Sequence, residues 1–339
     1  MAIQENIFKK ILVIGSNSFT AGHFINYILE NTDSEIVGIS RSPEYNPVFL
    51  PFLYNKQRSS RYSFHQIDIN QNIEKVCSIL DSFRPHVVVN YAAQGEVRNS
   101  WKWPEQWYQT NCLSVVRLVE HLKNMDCLKK YVSISTPEVY GATVENIKEN
   151  HNYNPSTPYA ASKLAGELHL FALQKCYDFP VVFTRAANLY GIHQQLYRII
   201  PRTIIYLKMG KKIDLHGRGQ ALRAFIHARD VADLTYKAIT HGKNGEVYHI
   251  APDGNLLSIA DLVRLICQLM DHEYESSINL IDENFGQDSC YSMDASKAKN
   301  ELGWSQKVDF ENGLRETIEW ININWNFIRN QELEYVHKK

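Results

Sequence analysis

Short apolar runs alternate with amphipathic segments along the first half of the chain. Six of these runs predict buried strands, and they lie at 10–15, 35–40, 63–68, 86–90, 128–135 and 181–187. Between them, apolar residues at helical spacing predict a helix after Gly15 and helices over about 73–83, 104–124 and 158–174. This alternation predicts an α/β fold, with a doubly wound parallel sheet of Rossmann type and helices on both faces.

The pattern changes after residue 190. Apolar periodicity predicts helices at 199–207, from 228 onward, at 258–271 and at 312–324, with a short strand at 213–217. We therefore expect a Rossmann domain over residues 1–190 and a smaller, substrate-binding lobe over 191–330, with room for a strand or helix to be exchanged between them. Residues 330–339 are polar and predict a frayed end.

Composition and charge exclude several classes of protein. The formal net charge is −1, which provides no electrostatic footprint for nucleic acid or an anionic membrane. No apolar run approaches the length of about 18 residues that a spanning helix needs, and the N-terminus lacks a secretion-signal pattern. Six scattered cysteines without a CxxC pair predict reduced core residues and no metal site. We expect a cytoplasmic protein.

The junction of the first strand and the first helix has the form of a phosphate-binding corner. There, a helix N-terminus presents backbone N–H groups and the positive end of its dipole to a pyrophosphate. The usual glycine pattern is incomplete, because Ser18 stands at its second position and Ala21 at its third. We expect a dinucleotide cofactor to contact Gly15, Asn17, Ser18, Phe19 and Thr20.

The end of the second strand bears on the identity of this cofactor. An acidic residue at that place binds the ribose hydroxyls and selects NAD. This chain has Ser40 and Arg41 instead, and a hydroxyl with a guanidinium suits a 2′-phosphate, so the sequence predicts NADP, with NAD as the alternative. Further cofactor contacts are expected after the third and fourth strands, at Asp68, Ile69, Tyr91, Ala92 and Ala93.

Two segments carry residues that suit proton transfer. Tyr159 and Lys163 lie four residues apart in a predicted helix, so both side chains share one face. A free phenol has a pKa of about 10, and we expect the Lys163 ammonium to lower the pKa of Tyr159 into the range of a working base. Upstream, Thr136-Pro137-Glu138 stands at the carboxyl end of the fifth strand, the edge at which doubly wound sheets bind ligands.

The motifs together carry a family resemblance. In chain order they are Ile11-Leu-Val-Ile-Gly15, Ala92-Ala-Gln94, Ser135-Thr-Pro-Glu-Val-Tyr-Gly141, Pro158-Tyr-Ala-Ala-Ser-Lys163, Arg185-Ala-Ala-Asn-Leu-Tyr-Gly191, Ile200-Pro201, Arg223 with Phe225-Ile-His227, and Glu301-Leu-Gly-Trp304. In this order, over nearly the whole chain, they resemble the extended short-chain dehydrogenase/reductase family, in its branch of nucleotide-sugar 4,6-dehydratases and epimerases.

The resemblance implies roles in an NAD(P)-dependent 4,6-dehydratase that acts on a nucleotide-diphosphate sugar. Tyr159 would take the O4 proton while C4 is oxidised, Lys163 would hold the nicotinamide ribose, and Thr136 would hydrogen-bond to O4. Glu138 would remove the C5 proton, which oxidation at C4 acidifies, and so start elimination of the C6 hydroxyl. Contacts to the substrate would come from Gln94, Asn188 and Arg223, the last two at its diphosphate.

Two departures from the family pattern bear on the reaction. Dehydratases that act on dTDP-glucose carry an aspartate, which helps the C6 hydroxyl to leave, where this chain has Pro137; GDP-mannose dehydratases also lack it. Glu138 would then return a proton to the leaving hydroxyl, and its pocket should raise its pKa. Related enzymes often have an arginine near Ser289 that binds the nucleotide, so its absence leaves the nucleobase open.

Other functions of the same residues stay open. A 4-epimerase or a decarboxylase shares this scaffold, and a decarboxylase would need a basic residue for the sugar carboxylate, for which Arg98 is the candidate. A protein that binds NADP without catalysis is the remote alternative. Against it, the chain keeps both Tyr159 and Lys163.

The resemblance also implies a homodimer. Relatives pair through two long helices that form a four-helix bundle at a two-fold axis, and the corresponding segments here are 104–124 and 158–174. Both carry apolar residues on more than one face, which are Leu113, Val115, Val116, Leu118 and Val119 in the first and Leu164, Leu168, Leu170, Phe171 and Leu173 in the second. Because one sheet cannot cover all of this apolar surface, we expect a partner subunit.

Overall fold

A computed structural model describes residues 8–54, 59–143, 145–254, 256–282 and 290–337. The position near Ser289 lies outside the described residues. The strands are β1 (Lys10–Ile14), β2 (Glu35–Ser40), β3 (Tyr62–Gln66), β4 (Val87–Asn90), β5 (Lys130–Ser135), β6 (Val181–Ala186), β7 (Asn188–Tyr190), β8 (Ile213–His216), β9 (Leu222–Arg223), β10 (Phe225–His227), β11 (Val247–Ile250), β12 (Leu257–Ser258) and β13 (Ile278–Ile281).

Helices occupy most of the chain between these strands. They are α1 (Phe19–Asn31), α2 (Ile73–Phe83), α3 (Val97–Ser100), α4 (Pro104–Tyr108), α5 (Ser114–Leu122), α6 (Pro158–Tyr177), α7 (Ile199–Lys208), α8 (Ala228–His241), α9 (Ile259–Leu269), α10 (Tyr274–Ser277), α11 (Ser296–Leu302), α12 (Phe310–Ile323) and α13 (Trp325–Ile328). Short 3₁₀ turns cover Pro47–Phe49, Pro137–Tyr140 and Gly217–Gly219.

Seven parallel strands form one sheet, in the order β11-β6-β5-β4-β1-β2-β3. β1 lies between β4 and β2, so that Leu12 pairs with Val37 on one side and with Val88 on the other. The strand order changes direction at β1, which is the point where doubly wound sheets bind their ligands. The predicted fold class, an α/β doubly wound parallel sheet of Rossmann type, is confirmed, and the six predicted strands form within two residues of their expected ends.

The two faces of the sheet bury separate hydrophobic layers. Ile11 and Val13 of β1 pack with Phe24 of α1 on one face. Leu12, whose side chain points the other way, packs in the layer that contains Leu118 of α5. Because both of their faces are covered, the inner strands are largely apolar, and this is why their positions could be predicted from the sequence.

The seventh strand, β11, comes from beyond residue 190. It pairs in parallel with β6, with Val247 opposite Phe183 and Ile250 opposite Ala186. The preceding helix, α8, belongs to the hydrophobic layer of α1 through Val231. The sequence pattern did not predict this strand, and the sheet therefore uses chain from both sides of the proposed boundary at residue 190.

The predicted helix over 104–124 is not continuous. It consists of α4, a π-helical turn at Gln109–Leu113 and α5. A π turn contains an additional residue, which changes the direction of the side chains that follow and often lies at a functional site. In the same way, the sixth predicted strand ends at Ala186, and Asn188–Tyr190 pairs separately with Phe225–His227.

The C-terminal segment is packed as far as His337, so the prediction of a frayed end is wrong there. Tyr335 packs edge-on against Tyr197, with 5.2 Å between the ring centroids. The ring of His337 stacks on Trp103 and on Trp107, at 4.5 Å and 5.4 Å between centroids. The contacts of His337 connect the C-terminal segment to the segment that precedes and forms α4.

All six cysteines are free, but most are not core residues. Cys267 and Cys290 are buried, whereas Cys176 is exposed and the other three are partly buried, so the predicted location in the core is wrong for most of them. In the described ranges, no helix is long and apolar enough to cross a bilayer. The same residues contain no group of three or more potential metal ligands.

Four histidines in the described part of the chain are buried, namely His23, His193, His227 and His249. Burial favours the neutral ring and lowers the pKa of His23 and His249 to about 3, of His193 to about 4 and of His227 to about 2. All four rings are therefore neutral in the folded protein at any pH near neutrality.

The free energy of unfolding should fall when the pH is lowered from about 7.5 to about 5.5. Below the ordinary histidine pKa of 6.5 the unfolded chain binds protons that the folded protein does not bind, so stability decreases with decreasing pH. At one pH unit below that value, each buried ring contributes about 1.4 kcal/mol to the loss. Urea unfolding at the two pH values measures the difference.

A variant of one ring tests the origin of this slope. His23→Gln should reduce the pH dependence by the share of one histidine, because glutamine does not titrate and its amide can still donate to the Ile192 carbonyl that His23 contacts. An unfolding free energy that stays constant between the two pH values would contradict the account.

Candidate active site

The backbone of the turn between β1 and α1 has a shape that can hold a phosphate-bearing ligand. Gly15 has a φ of 80°, and a Cβ atom at this position would lie 2.6 Å from the backbone nitrogen of Ala92, so only glycine is accommodated. Ser18 is the N-cap of α1, and its hydroxyl accepts the N–H of Ala21 at 3.3 Å. The first turn of this 13-residue helix, with Phe19 and Thr20, therefore begins at the carboxyl edge of the sheet.

Asn17 joins this corner to the chain that follows β2. Its backbone N–H donates to the Ser40 hydroxyl at 3.0 Å, and its amide donates to the carbonyls of Ser42 and Pro43. The Asn17 amide oxygen and the Ser16 hydroxyl are buried and have no hydrogen-bond partner among the described residues. Buried polar atoms without partners, next to a helix N-terminus, fit a site for the pyrophosphate of a dinucleotide.

The two residues on which the prediction of NADP rests differ in their exposure to solvent. Ser40 is buried, and its hydroxyl accepts the N–H of Asn17. Arg41 is partly exposed beyond the end of β2.

The other expected cofactor residues lie along the same edge of the sheet. Asp68 follows β3 and accepts the N–H of Asn70 at 2.8 Å, and Ile69 beside it is buried. Tyr91 is buried directly after β4, and Ala92 and Ala93 follow it with increasing exposure.

The segment Thr136–Glu138 forms a turn at the end of β5. Thr136 is the N-cap of the 3₁₀ turn Pro137–Tyr140, and its hydroxyl accepts the N–H of Glu138 at 3.3 Å. Pro137 occupies the first position of this turn, where a missing N–H costs nothing and the fixed φ suits the geometry. The turn therefore places the side chains of Thr136 and Glu138 beside the carboxyl edge of the sheet.

Tyr159 reaches the same place from the first turn of α6. Thr157 caps this helix and Pro158 begins it. The Tyr159 hydroxyl lies close enough to the Thr136 side chain and to Glu138 for both to act on its pKa. Burial raises the pKa of Tyr159 well above its usual value, the charge of Glu138 raises it further, and the hydrogen bond from Thr136 lowers it.

Lys163 lies one turn further along α6, but its ammonium is bound elsewhere. It donates to the backbone carbonyl of Ile134 in β5 at 2.7 Å. Burial lowers the pKa of Lys163, and the nearby charge of Glu167 raises it. The expectation that Lys163 lowers the pKa of Tyr159 is therefore wrong for this structure, in which burial dominates and the phenol is protonated at neutral pH.

Asn111 is a central residue of the site that the sequence pattern did not predict. It lies in the π turn, and its side chain accepts the N–H of Gln94 at 2.9 Å and donates to the Gln94 carbonyl at 3.0 Å and to the Ser162 hydroxyl at 2.9 Å. Gly166 permits the close approach of α6, because a Cβ atom there would lie 2.4 Å from the Asn111 carbonyl. A polar residue inside an apolar helical run was the available signal.

The two residues expected at the substrate diphosphate are brought together by β7 and the segment β9–β10. Asn188 donates its backbone N–H to the carbonyl of Ala224, the residue after Arg223. Arg223 is buried, its guanidinium stacks on Tyr291 at 4.7 Å, and it donates to the Leu222 carbonyl at 2.8 Å. Gln94 is buried, and its backbone N–H and carbonyl are both hydrogen-bonded to the side chain of Asn111.

These contacts bring together a hydroxyl, a carboxylate and a phenol at the edge where β5 ends, next to a corner that fits a dinucleotide. A model of the family described as GDP-mannose 4,6 dehydratase matches residues 12–317. The chain belongs to this family. The match covers the turn between β1 and α1, the Thr136–Tyr140 turn, α6 and most of the C-terminal lobe, so membership of the extended short-chain dehydrogenase/reductase branch of nucleotide-sugar dehydratases and epimerases is confirmed.

Similar proteins include dehydratases and an epimerase of nucleotide sugars. A dTDP-glucose 4,6-dehydratase from Haemophilus influenzae is 30% identical and covers 93% of this chain and 98% of its own. Among solved structures, a dTDP-glucose 4,6-dehydratase from Streptomyces venezuelae with NAD bound has a TM-score of 0.86 at 26% identity, covering 94% of this chain and 98% of its own. A UDP-glucuronic acid 4-epimerase from Bacillus cereus, with UDP-glucuronic acid and NAD, has a TM-score of 0.83 at 27% identity, covering 93% and 99%.

Proposed function

We propose that this protein is a 4,6-dehydratase of a nucleotide-diphosphate sugar and that it uses a nicotinamide dinucleotide. The observation that carries the proposal is that the turn Pro137–Tyr140 and the first turn of α6 place Thr136 and Glu138 close enough to the Tyr159 phenol for both to act on its pKa. These three groups match the three places at which a 4,6-dehydration needs proton transfer or hydrogen bonding. Relatives named as dTDP-glucose 4,6-dehydratases, which match nearly the whole chain, support the same reaction.

The first part of the reaction concerns C4 of the sugar. When bound, a nicotinamide dinucleotide supplies a hydride acceptor, which takes the hydrogen of C4 and later returns it to C6. The Tyr159 phenol first loses its own proton to solvent, and the phenolate then takes the proton of the O4 hydroxyl, while Thr136 hydrogen-bonds to the same oxygen. Lys163 would bind the ribose of the cofactor, and Asn188 with Arg223 would bind the diphosphate of the substrate.

The second part concerns C5 and C6, and it depends on Glu138. A ketone at C4 acidifies the C5 proton, so that the carboxylate can remove it. The C6 hydroxyl then leaves as water after taking a proton from Glu138, which restores the carboxylate and leaves a C5–C6 double bond. Completion of the reaction adds a solvent proton at C5. The sugar loses one water, and Glu138 ends in its starting state.

A 4-epimerase is the second candidate function. Pro137 supplies no acid at the position between Thr136 and Glu138, and a 4-epimerase does not need one, because no hydroxyl leaves. The similarity to the Bacillus cereus 4-epimerase supports this alternative. A decarboxylase would need a cation at the sugar carboxylate, and Arg98, the candidate for it, is exposed on the short helix α3.

Substitutions of Tyr159 and Glu138 should separate the two halves of the reaction. Tyr159→Phe should abolish the reduction of bound cofactor, because no group takes the O4 proton. Glu138→Gln should oxidise C4 but stall before water is lost, so that reduced cofactor accumulates with substrate bound. The rate of water loss should fall by about 10²–10⁴-fold, the range that general acid–base groups supply. Cofactor absorbance and product mass measure the two steps.

A carboxylate outside the site serves as the control. Glu145 is exposed in the loop that follows the Thr136–Tyr140 segment, and Glu145→Gln should dehydrate at the wild-type rate. Solvent deuterium should enter C5 in the wild type and not in Glu138→Gln. Dehydration by Glu138→Gln at nearly the wild-type rate would contradict the role of Glu138. Inversion at C4 by the wild type, without loss of water, would make the protein an epimerase.

The preference for NADP over NAD stays a prediction, and Arg41 is the residue that tests it. The solved relatives described above hold NAD. Arg41→Ala should weaken NADP binding by about tenfold, the value of one charge-assisted contact to a phosphate, and NAD binding by less than about threefold. Isothermal titration with both cofactors measures this. Arg84→Ala, which removes an exposed arginine at the end of α2, should change neither affinity. Equal binding of NAD and NADP by the wild type would contradict the prediction.

We also propose that the protein is a homodimer through the segments α4–α5 and α6. Apolar side chains stay exposed on this pair of segments: Tyr108 to 39%, Leu113 to 47% and Leu168 to 51%. Two copies related by a two-fold axis would bury these faces against each other in a four-helix bundle. In an isologous interface both subunits present the same residues, so a second copy of the chain would bring these exposed apolar side chains against each other.

Sedimentation should show a dimer at micromolar concentration. The double variant Leu113→Glu with Leu168→Glu should be monomeric, because the buried interface would hold four unpaired carboxylates. Leu280→Glu changes an equally exposed leucine, at 47%, on β13 of the C-terminal lobe and should stay dimeric. A monomeric wild type, or a dimer that survives the double substitution, would contradict the proposed interface.

A further inference from the structure

Arg185 is a fully buried arginine whose guanidinium makes contacts in several directions. It donates to the Glu167 carboxylate at 2.5 Å, to the Tyr140 hydroxyl, and to the Tyr153 hydroxyl at 3.3 Å. It also lies over the rings of Tyr140 and Tyr153, at 4.7 Å and 5.2 Å from their centroids. Its Nε donates to the Ser135 hydroxyl at 3.4 Å.

These partners belong to the two segments that carry the proposed catalytic residues. Glu167 lies on α6, one turn beyond Lys163 and two beyond Tyr159, so the three share one row of the helix. Tyr140 is the last residue of the 3₁₀ turn that begins after Thr136 and contains Glu138. One guanidinium therefore contacts both the helix and the turn.

An ion pair that only neutralised Glu167 would not need this arrangement. A lysine could neutralise the carboxylate, but it presents a single rotatable ammonium, whereas a guanidinium is a planar fork that donates in fixed directions. Neither member is exposed, because the side chains of Arg185 and Glu167 are 0% and 1% accessible. Packing on all sides therefore fixes the directions in which the N–H groups of the Arg185 guanidinium donate.

We propose that Arg185 is a positioning residue, which holds the turn with Thr136 and Glu138 in register with the helix face of Tyr159 and Lys163. The proposal rests on the function proposed above, because it takes those four side chains as the catalytic set. It assigns to Arg185 no contact with substrate or cofactor. Its effect on the reaction passes through Tyr140 on one side and Glu167 on the other.

The electrostatics of α6 agree with this role. The negative charge of Glu167 raises the pKa of both Tyr159 and Lys163, which lie along the same row. The second oxygen of Glu167 is buried without a hydrogen-bond partner among the described residues, so its charge is balanced mainly by Arg185. Arg185 thereby limits the effect of a buried carboxylate on the proposed base.

Two tyrosines provide a matched pair of variants. Tyr140 and Tyr153 both stack on Arg185, both accept a bond from it, and both contact a histidine through their hydroxyl, His249 and His151 respectively. Tyr140 alone belongs to the catalytic turn. Phenylalanine at either position keeps the ring and removes the hydroxyl.

Tyr140→Phe should slow single-turnover reduction of the bound cofactor by tenfold or more, with KM changed less than about twofold, because a small misplacement of reacting groups can cost about 10²-fold. Tyr153→Phe should stay within about threefold of the wild type. Thermal unfolding and the cofactor Kd, measured on both variants, report any general loss of structure. Equal rates in the two variants, or a loss in Tyr140→Phe that matches its loss of stability, would overturn the proposal.

Glu167→Gln adds a readout that a purely structural role would not change. Loss of the carboxylate charge, and the unbalanced guanidinium that remains, both favour the Tyr159 phenolate, so the acid limb of the kcat/KM pH profile should move to lower pH. An unchanged profile would count against the proposal.

The test of Arg185 can succeed or fail independently of the dehydratase assignment. It measures cofactor reduction, which precedes water loss in a dehydration and is also the first step of an epimerisation. A wild type that reduces cofactor without losing water contradicts the dehydratase alone. A wild type that reduces no cofactor with any nucleotide sugar overturns both.

Discussion

A buried ion pair between Glu167 of α6 and Arg185 of β6 joins elements that form the candidate site. Removing two charges from water costs several kcal/mol each, and a buried pair commonly adds little net stability, whereas loss of one partner costs about 3–5 kcal/mol. The pair therefore acts mainly as a constraint on geometry. It fixes the rotation of α6 about its own axis, and so fixes the direction of Tyr159 and Lys163 on the same row.

The neighbouring face of α6 is held by a second contact, which is made of small and polar groups. Gly166 lies against the carbonyl of Asn111, and Ser162 accepts a bond from the Asn111 side chain, which also holds the backbone of Gln94. The π turn at Gln109–Leu113 makes room for this polar residue between apolar helices. Between these two contacts, Tyr159 on α6 lies beside the turn that carries Glu138. The proposed reaction depends on this arrangement.

Most of the sheet could be predicted from the sequence because a parallel sheet is buried on both faces, so that its strands are short apolar runs. The spacing of Tyr159 and Lys163 is local and could also be recognised. β11 was missed because its four residues include the polar His249, and because its pairing with β6 joins segments far apart in the chain. The π turn adds one residue to a helical period, which apolar spacing over a short window does not show. The direction of Lys163 depends on a carbonyl of β5, a long-range contact that no local pattern contains.

The fate of the C4 hydrogen tests the central claim most directly. A nucleotide sugar with deuterium at C4 is incubated with the wild-type protein, and the product is analysed by mass spectrometry and NMR. If the protein is a 4,6-dehydratase, the product has lost one water and carries the deuterium at C6. A product of unchanged mass, with the deuterium still at C4 and that carbon inverted, would contradict the account.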